Sequence, residues 1–214
     1  MSESGRFVHV VDDDPSFRTS VGRLLEASGY QVSLYESGDH LLQSQHRDKP
    51  GCILLDMCMK GLDGLQLQQR LLDLQTPLPV VFVSGHGDIP STVRAIKSGA
   101  EDFLLKPVVK ADLIAAIQRA FQRYEELQQQ VDRLVSLRRT VDSLTPRQRQ
   151  VYLLFVRGKL NKQIAHELGT SVRTIKAHRH KIMQKLQVRS VAEAVSLAEK
   201  LGLLAVESPK QNTK

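Results

Sequence analysis

The sequence predicts an α/β domain, then one long helix, then an all-α domain. Three observations carry this. Short apolar runs alternate with amphipathic stretches over residues 1–121. Residues 110–142 contain neither Gly nor Pro. Charge is divided: residues 1–121 hold 12 Lys/Arg against 15 Asp/Glu, whereas 143–214 hold 14 against 4. Alternating strand and helix patterns imply a parallel, doubly wound sheet. A strongly basic rear suits a polyanion.

The elements follow in order. FVHVV (7–11) is a short apolar strand. The helix after it has Asp14 as cap, Pro15 in its first turn and Gly29 as its stop. YQVSLY (30–35) alternates apolar and polar residues, as a half-buried strand does. A short helical stretch lies near 38–45. CILLD (52–56), GLQLQQRLLDL (64–74), VVFVS (80–84), PSTVRAIKSGA (90–100) and DFLL (102–105) continue the alternation. In the long helix, Ile117, Ala120, Tyr124, Leu127, Val131 and Leu134 keep the 3–4 spacing of a heptad seam, which slips at Leu137 and Val141. Such a seam suggests pairing with a second copy. The domains expected are 1–121, a helical linker over 122–142, a basic domain over 143–204 and a frayed tail over 205–214.

Composition excludes several classes. No run of about 18 apolar residues exists, so no membrane span is expected. The N-terminal apolar run is too short for a signal peptide. Two cysteines, Cys52 and Cys58, give no disulfide framework, which reads as a cytosolic chain.

A parallel sheet places strand C-terminal ends on one edge. With strand order 2-1-3-4-5, strands one, three and four are neighbours. Asp12 and Asp13 then follow strand one, Asp56 ends strand three, Ser84 ends strand four and Lys106 follows strand five. Packed carboxylates repel and demand a cation, and hard oxygen ligands suit Mg²⁺. A metal with Lys106 would neutralise an incoming phosphoryl group, which makes Asp56 a nucleophile. A single aspartate at such a position is more often a helix cap, the reading kept for Asp14. The isomer of the Lys106–Pro107 bond is left open.

VVDDD (10–14), LLDMCMKGLDG (54–64), VSGHGD (83–88) and FLLKP (103–107) together resemble the flavodoxin-like (βα)5 receiver domain of two-component response regulators, over residues 6–121. The resemblance implies that Asp56 accepts a phosphoryl group from a sensor histidine kinase. It implies Mg²⁺ held by Asp13, Asp56 and the main-chain carbonyl of Cys58, with Asp12 acting through water. It gives Ser84 and Lys106 to the phosphoryl oxygens and makes Phe103 the switch aromatic. Ser84 moving toward the phosphoryl group would let Phe103 turn inward and re-shape the 90–99 and 102–105 face, where the family usually dimerises. Lys60 departs from the pattern, standing where the family usually has proline, and puts the phosphoryl lifetime in question.

The rear contains LTPRQRQVYLLFVRG (144–158), NKQIAHELG (161–169), SVRTIKAHRHKIMQKL (171–186) and SVAEAVSLAEKLG (190–202), four helices with a helix-turn-helix at 161–186. The second helix of that pair carries Arg173, Lys176, Arg179, His180, Lys181 and Lys185, and residues 170–192 lack Asp and Glu. A helix this basic fits double-stranded DNA. Ile175, Ile182, Met183 and Leu186 are its inward face. The segment resembles the LuxR-type DNA-binding domain, over 143–203. With the receiver this is the NarL/FixJ class, and HGDIP and KAHRHKIMQKL are similar to its FixJ-like branch near the styrene and toluene degradation regulators. The resemblance puts Lys176, Ala177 and His180 on bases and Lys162, His166, Arg173 and Thr174 near the backbone, with Lys181 beside them, and makes 190–201 a dimer contact. It further implies a homodimer on phosphorylation, RNA polymerase as a further contact, and activation more often than repression.

Weaker signals carry less. His178 and His180 point about 200° apart on a helix and cannot chelate one ion. Cys52 and Cys58 read as a buried thiol each, not a zinc pair. Ser84, His86 and Asp88 match a triad in composition only, without a nucleophile elbow. Two rivals stay in view. One is a Mg²⁺-dependent phosphohydrolase, which would want an aspartate where Cys58 stands. The other is a constitutive DNA binder whose receiver is only a dimerisation scaffold.

Overall fold

A computed structural model describes residues 6–45, 49–85 and 89–204. The chain divides into two compact units, Met1–Gln129 and Gln130–Lys214. The tail expected over 205–214 and the His86–Asp88 part of the triad pattern lie outside the described residues.

The first unit is a five-stranded sheet in the order β2-β1-β3-β4-β5. Its strands are β1 (Phe7–Val11), β2 (Gln31–Tyr35), β3 (Gly51–Asp56), β4 (Val80–Ser84) and β5 (Asp102–Leu105). Each neighbouring pair is parallel. Between them run α1 (Pro15–Glu26), α2 (Gly38–Gln43), α3 (Gly64–Asp73) and α4 (Ile89–Lys97). β3 and β4 are buried along their whole length, as central strands covered on both faces must be. β2, at the edge, is only partly covered.

Side-chain alternation sorts the apolar residues into two cores. Val11, Ile53, Leu55 and Phe82 face one layer with Leu67 and Leu71. Val8, Val10, Leu54, Val81 and Val83 face the other with Leu25, Leu113 and Ile117. Helix starts are fixed by caps. The Asp14 carboxylate accepts from the Ser16 amide at 2.8 Å. Asp63 and Gln66 form a reciprocal capping box at α3.

Helix α5 runs unbroken from Lys110 to Asp142. The heptad seam read from its sequence is not one uniform pairing face. Ile117 and Ala120 are fully buried in the first unit's core, and Tyr124 packs against it. Val131 and Leu134 are exposed. Leu137 and Val141 join the core of the second unit, which explains the slip in spacing there.

The second unit contains α6 (Pro146–Val156), α7 (Asn161–Glu167), α8 (Val172–Lys185) and α9 (Val191–Lys200). Thr145 caps α6 in a box with Gln148, with Pro146 in the first turn. Ser171 caps α8 and Ser190 caps α9. Gly169, at φ 61°, supplies the left-handed residue that ends α7 and turns the chain toward α8. Tyr152, Phe155, Ile164, Ile175 and Ile182 form the centre of this core. The buried Tyr152 hydroxyl donates to the Ala194 carbonyl at 3.0 Å, which ties α6 to α9. Ile175, Ile182 and Leu186 are buried as expected, while Met183 is only half-buried.

Gly64 is required by packing. A Cβ there would sit 2.5 Å from the Asp56 carbonyl oxygen and 2.9 Å from the Phe82 ring. Gly64→Ala is therefore expected to cost about 1–3 kcal/mol, because the obstructing atoms are backbone and a core ring. Urea denaturation checks this, and an unchanged midpoint would contradict it.

Candidate functional site

The strand exits build the site. Parallel pairing aligns Val11 of β1 with Leu55 of β3, so the residues that follow, Asp12 and Asp56, leave the sheet side by side. Asp56 pairs with Val83, and Ser84 pairs with Leu105 just before Lys106. Backbone bonds hold the exits in place: Asp12 N–H donates to Tyr35 O at 3.1 Å, Met57 N–H to Val83 O at 3.0 Å and Lys106 N–H to Ser84 O at 2.8 Å. The Lys106–Pro107 bond is cis.

The carboxylates of Asp12, Asp13 and Asp56 each bring an oxygen within 4.8 Å of the others. Asp12 and Asp56 are buried, and Asp13 is more open to solvent. The Lys106 ammonium lies 2.7 Å from Asp12 Oδ2 and 3.3 Å from Asp56 Oδ1. Burial pushes the Asp56 carboxyl above its ordinary pKa and the charge on Asp12 adds to this, while Lys106 opposes it. Burial alone would lower the Lys106 pKa. Its hydrogen bond to Asp12 and the charges of Asp56 and Asp12 outweigh burial and hold the ammonium more firmly protonated than usual.

Three carboxylates against one ammonium leave two negative formal charges in a small volume. The donor set is all hard oxygen, with few protein ligands and an open side at Asp13. This fits a divalent cation that keeps water in its shell.

The remaining residues read from sequence fall as follows. Ser84 is fully buried at the end of β4. Cys52 is buried within β3 as expected, whereas Cys58, expected to be buried, is exposed because it falls on the loop past the strand's end; both are free thiols. Phe103 is half-buried and packs against the core. The Lys60 amide donates to Asp13 Oδ2 at 3.3 Å, so the lysine's backbone, at the departure from the family pattern, helps orient a carboxylate of the cluster.

Two contributors escaped the sequence reading. Phe17, in the first turn of α1, carries the Lys106 ammonium 4.1 Å from its ring centroid. Arg18, beside it, donates to the Asp12 main-chain oxygen at 2.5 Å. The signal was an aromatic one turn past the acidic triplet, indistinguishable in sequence from ordinary core packing.

The second unit presents a separate basic surface. Arg173, Lys176, Ala177 and His180 fall within an arc of about 100° on one side of α8, at about 100° per residue. Ile175, Ile182 and Leu186 point about opposite to that arc. Lys162, His166, Arg173, Thr174, Lys176, Ala177, His180 and Lys181 are all exposed. Arg179 is turned inward, donating to Asn161 Oδ1 at 2.6 Å and stacking 4.8 Å over Phe155, so it joins α8 to α7 and α6.

Known proteins match both units. Residues 8–118 match the response regulator receiver domain family, and residues 142–198 match the luxR family of bacterial regulatory proteins. The response regulator protein TodT of Pseudomonas putida strain F1 is 37% identical over 201 residues, covering 94% of this chain and 88% of that protein. The transcriptional regulatory protein FixJ of Bradyrhizobium diazoefficiens is 38% identical, covering 92% of this chain and 96% of that one. The solved structure of the response regulator StyR is similar at a TM-score of 0.72 and 43% identity, covering 92% of this chain and all of that one. Receiver architecture, the acidic cluster at its strand exits and a basic helix-turn-helix later in the chain thus agree with these relatives, and the chain belongs to the NarL/FixJ family of two-component, DNA-binding response regulators.

Proposed function

We propose that this chain is switched by a phosphoryl group on Asp56 and answers by gripping an operator through α8. The observation that carries the reading is the Asp12–Asp13–Asp56 cluster with Lys106 between Asp12 and Asp56. The functional division is a receiver over 1–121, a helical linker over 122–142 and a DNA-binding domain over 143–204.

Asp56 Oδ attacks the phosphorus of a phosphohistidine on the sensor kinase. A P–O bond forms, the P–N bond breaks, and the histidine leaves. Asp12, Asp13, Asp56 and the Cys58 carbonyl would hold Mg²⁺, with Asp12 acting through water. When bound, it offsets the charge on the phosphoryl oxygens. Lys106 pairs with one of those oxygens, and the Ser84 hydroxyl donates to another. Phosphorylation adds about −1.5 to −2 charge at this point. Ser84 moving toward it frees space for Phe103 to turn inward. Ile89, Val93, Ile96 and Leu105 are exposed on α4 and β5, an apolar face suited to pairing two phosphorylated copies. Pairing brings two basic domains onto one operator, with α9 as a further dimer contact and RNA polymerase as the recipient of an activating signal. No described helix is long and apolar enough to cross a membrane.

On DNA, Lys176, Ala177 and His180 face base edges, while Lys162, His166, Arg173, Thr174 and Lys181 lie along the phosphates.

Incubation with acetyl phosphate and Mg²⁺ is expected to place one phosphoryl group per chain, absent in Asp56→Asn. Intact mass measures this, and sustained turnover of the donor without a stable adduct would favour the phosphohydrolase instead. Mg²⁺ at about a hundred times its Kd should stabilise the receiver by about 2.7 kcal/mol. Asp13→Ala should abolish most of that gain at the same Mg²⁺ concentration in thermal melts. Lys176→Ala is expected to relax discrimination at one base pair by about 1–3 kcal/mol. Lys162→Ala should instead weaken all sequences alike and reduce the salt slope by about 1. Binding titrations at several salt concentrations separate the two effects.

A further inference from the structure

We propose that Phe17 is a positioning residue for phosphoryl transfer, holding the Lys106 ammonium at the acidic cluster through the face of its ring. The proposal deepens the reading of Asp56 as phosphoacceptor and rests on it.

Lysine has a long, flexible stem, and a solvated ammonium has many places to go. Lys106 follows a short strand, and its side chain is only 20% exposed. Two kinds of contact hold its head. On one side are the carboxylates, Asp12 Oδ2 at 2.7 Å and Asp56 Oδ1 at 3.3 Å. On another is the Phe17 ring, whose centroid is 4.1 Å from Nζ. That distance is well inside the range where the negative face of an aromatic quadrupole attracts a cation.

The ring is itself anchored. It packs against the inner core that contains Val8, Val10, Cys52 and Leu54. Its helix is fixed at the same turn by the Asp14 cap and by Arg18, which donates to the Asp12 main-chain oxygen. Phe17 is thus a packed floor on the helix whose neighbouring Arg18 bonds the strand exit.

The two kinds of contact differ in what they permit. Hydrogen bonds to Asp12 and Asp56 are directional and must change when a phosphoryl group arrives on Asp56. Attraction to a ring face is broad and survives small lateral shifts of the cation. Lys106 can therefore move from carboxylate to phosphoryl oxygen while the ring keeps it desolvated and in place. An aliphatic side chain at position 17 would fill the volume without supplying that hold.

The test uses the full chain, acetyl phosphate and Mg²⁺. Phe17→Leu should slow acyl-phosphate formation on Asp56 by about three- to tenfold, and Phe17→Tyr should restore it. In a Lys106→Met background, Phe17→Leu should slow the reaction no further. Thermal melts run alongside. Equal losses for Leu and Tyr, or an undiminished Leu effect without Lys106, would reduce Phe17 to a packing residue. An independent signature needs no phosphorylation. The Lys106 methylene protons next to Nζ should be shifted upfield by the ring in wild type and Phe17→Tyr, and not in Phe17→Leu. Absence of that shift in wild type overturns the proposal. If the shift is present and Asp56 takes up no phosphate, the phosphoacceptor reading fails instead.

Discussion

The structure of the receiver turns on electrostatic repulsion among Asp12, Asp13 and Asp56. Burying Asp12 and Asp56 side by side is unfavourable unless a cation answers them. Lys106 answers in part and leaves two formal negative charges among hard oxygen donors, a set suited to a divalent ion. Burial, and after it the charge of Asp12, push the Asp56 carboxyl above its ordinary pKa. Everything around the cluster serves to keep it assembled. β1, β3, β4 and β5 bring four exits to one edge, Gly64 gives room for the Asp56 carbonyl, and the first turn of α1 braces Asp12.

The DNA-binding unit solves a different problem. α8 must be apolar on one side to fold and cationic on the other to meet phosphates. Ile175, Ile182 and Leu186 satisfy the first need, and Arg173 and Lys176 place exposed cations on the nearly opposite face. Arg179 falls between the two and is used to join helices, which is why a count of basic residues overstates the exposed basic face. Its guanidinium, stacked on Phe155, ties α8 to α6.

Much of this was legible in the amino-acid order. Short continuous apolar runs located the inner strands because both faces of the sheet are buried there, alternation located the partly covered β2, and 3.6-residue spacing located the helices because one face of each is buried. The aspartates at strand exits were readable because parallel topology leaves few places for Asp12, Asp13 and Asp56 to go. Local pattern failed where one residue serves two contexts. Ile117 and Ala120 looked like a coiled-coil seam, yet they pack on the receiver's own sheet, since core packing and heptad pairing share a spacing. Nothing in the local sequence sets Phe17 apart, and only its distance to Lys106 separates it from the other apolar residues of α1. The contact of Arg18 with a main-chain oxygen has no sequence signature at all.

Charge placed in the acidic pocket should alter the affinity of a surface carried on a different unit of the chain. Operator affinity, measured by fluorescence anisotropy before and after exposure to a phosphoryl donor, tests that coupling most directly. The account predicts tighter binding after exposure, with no gain when divalent ions are chelated beforehand. Equal affinity in all conditions would contradict it and leave the receiver as a scaffold.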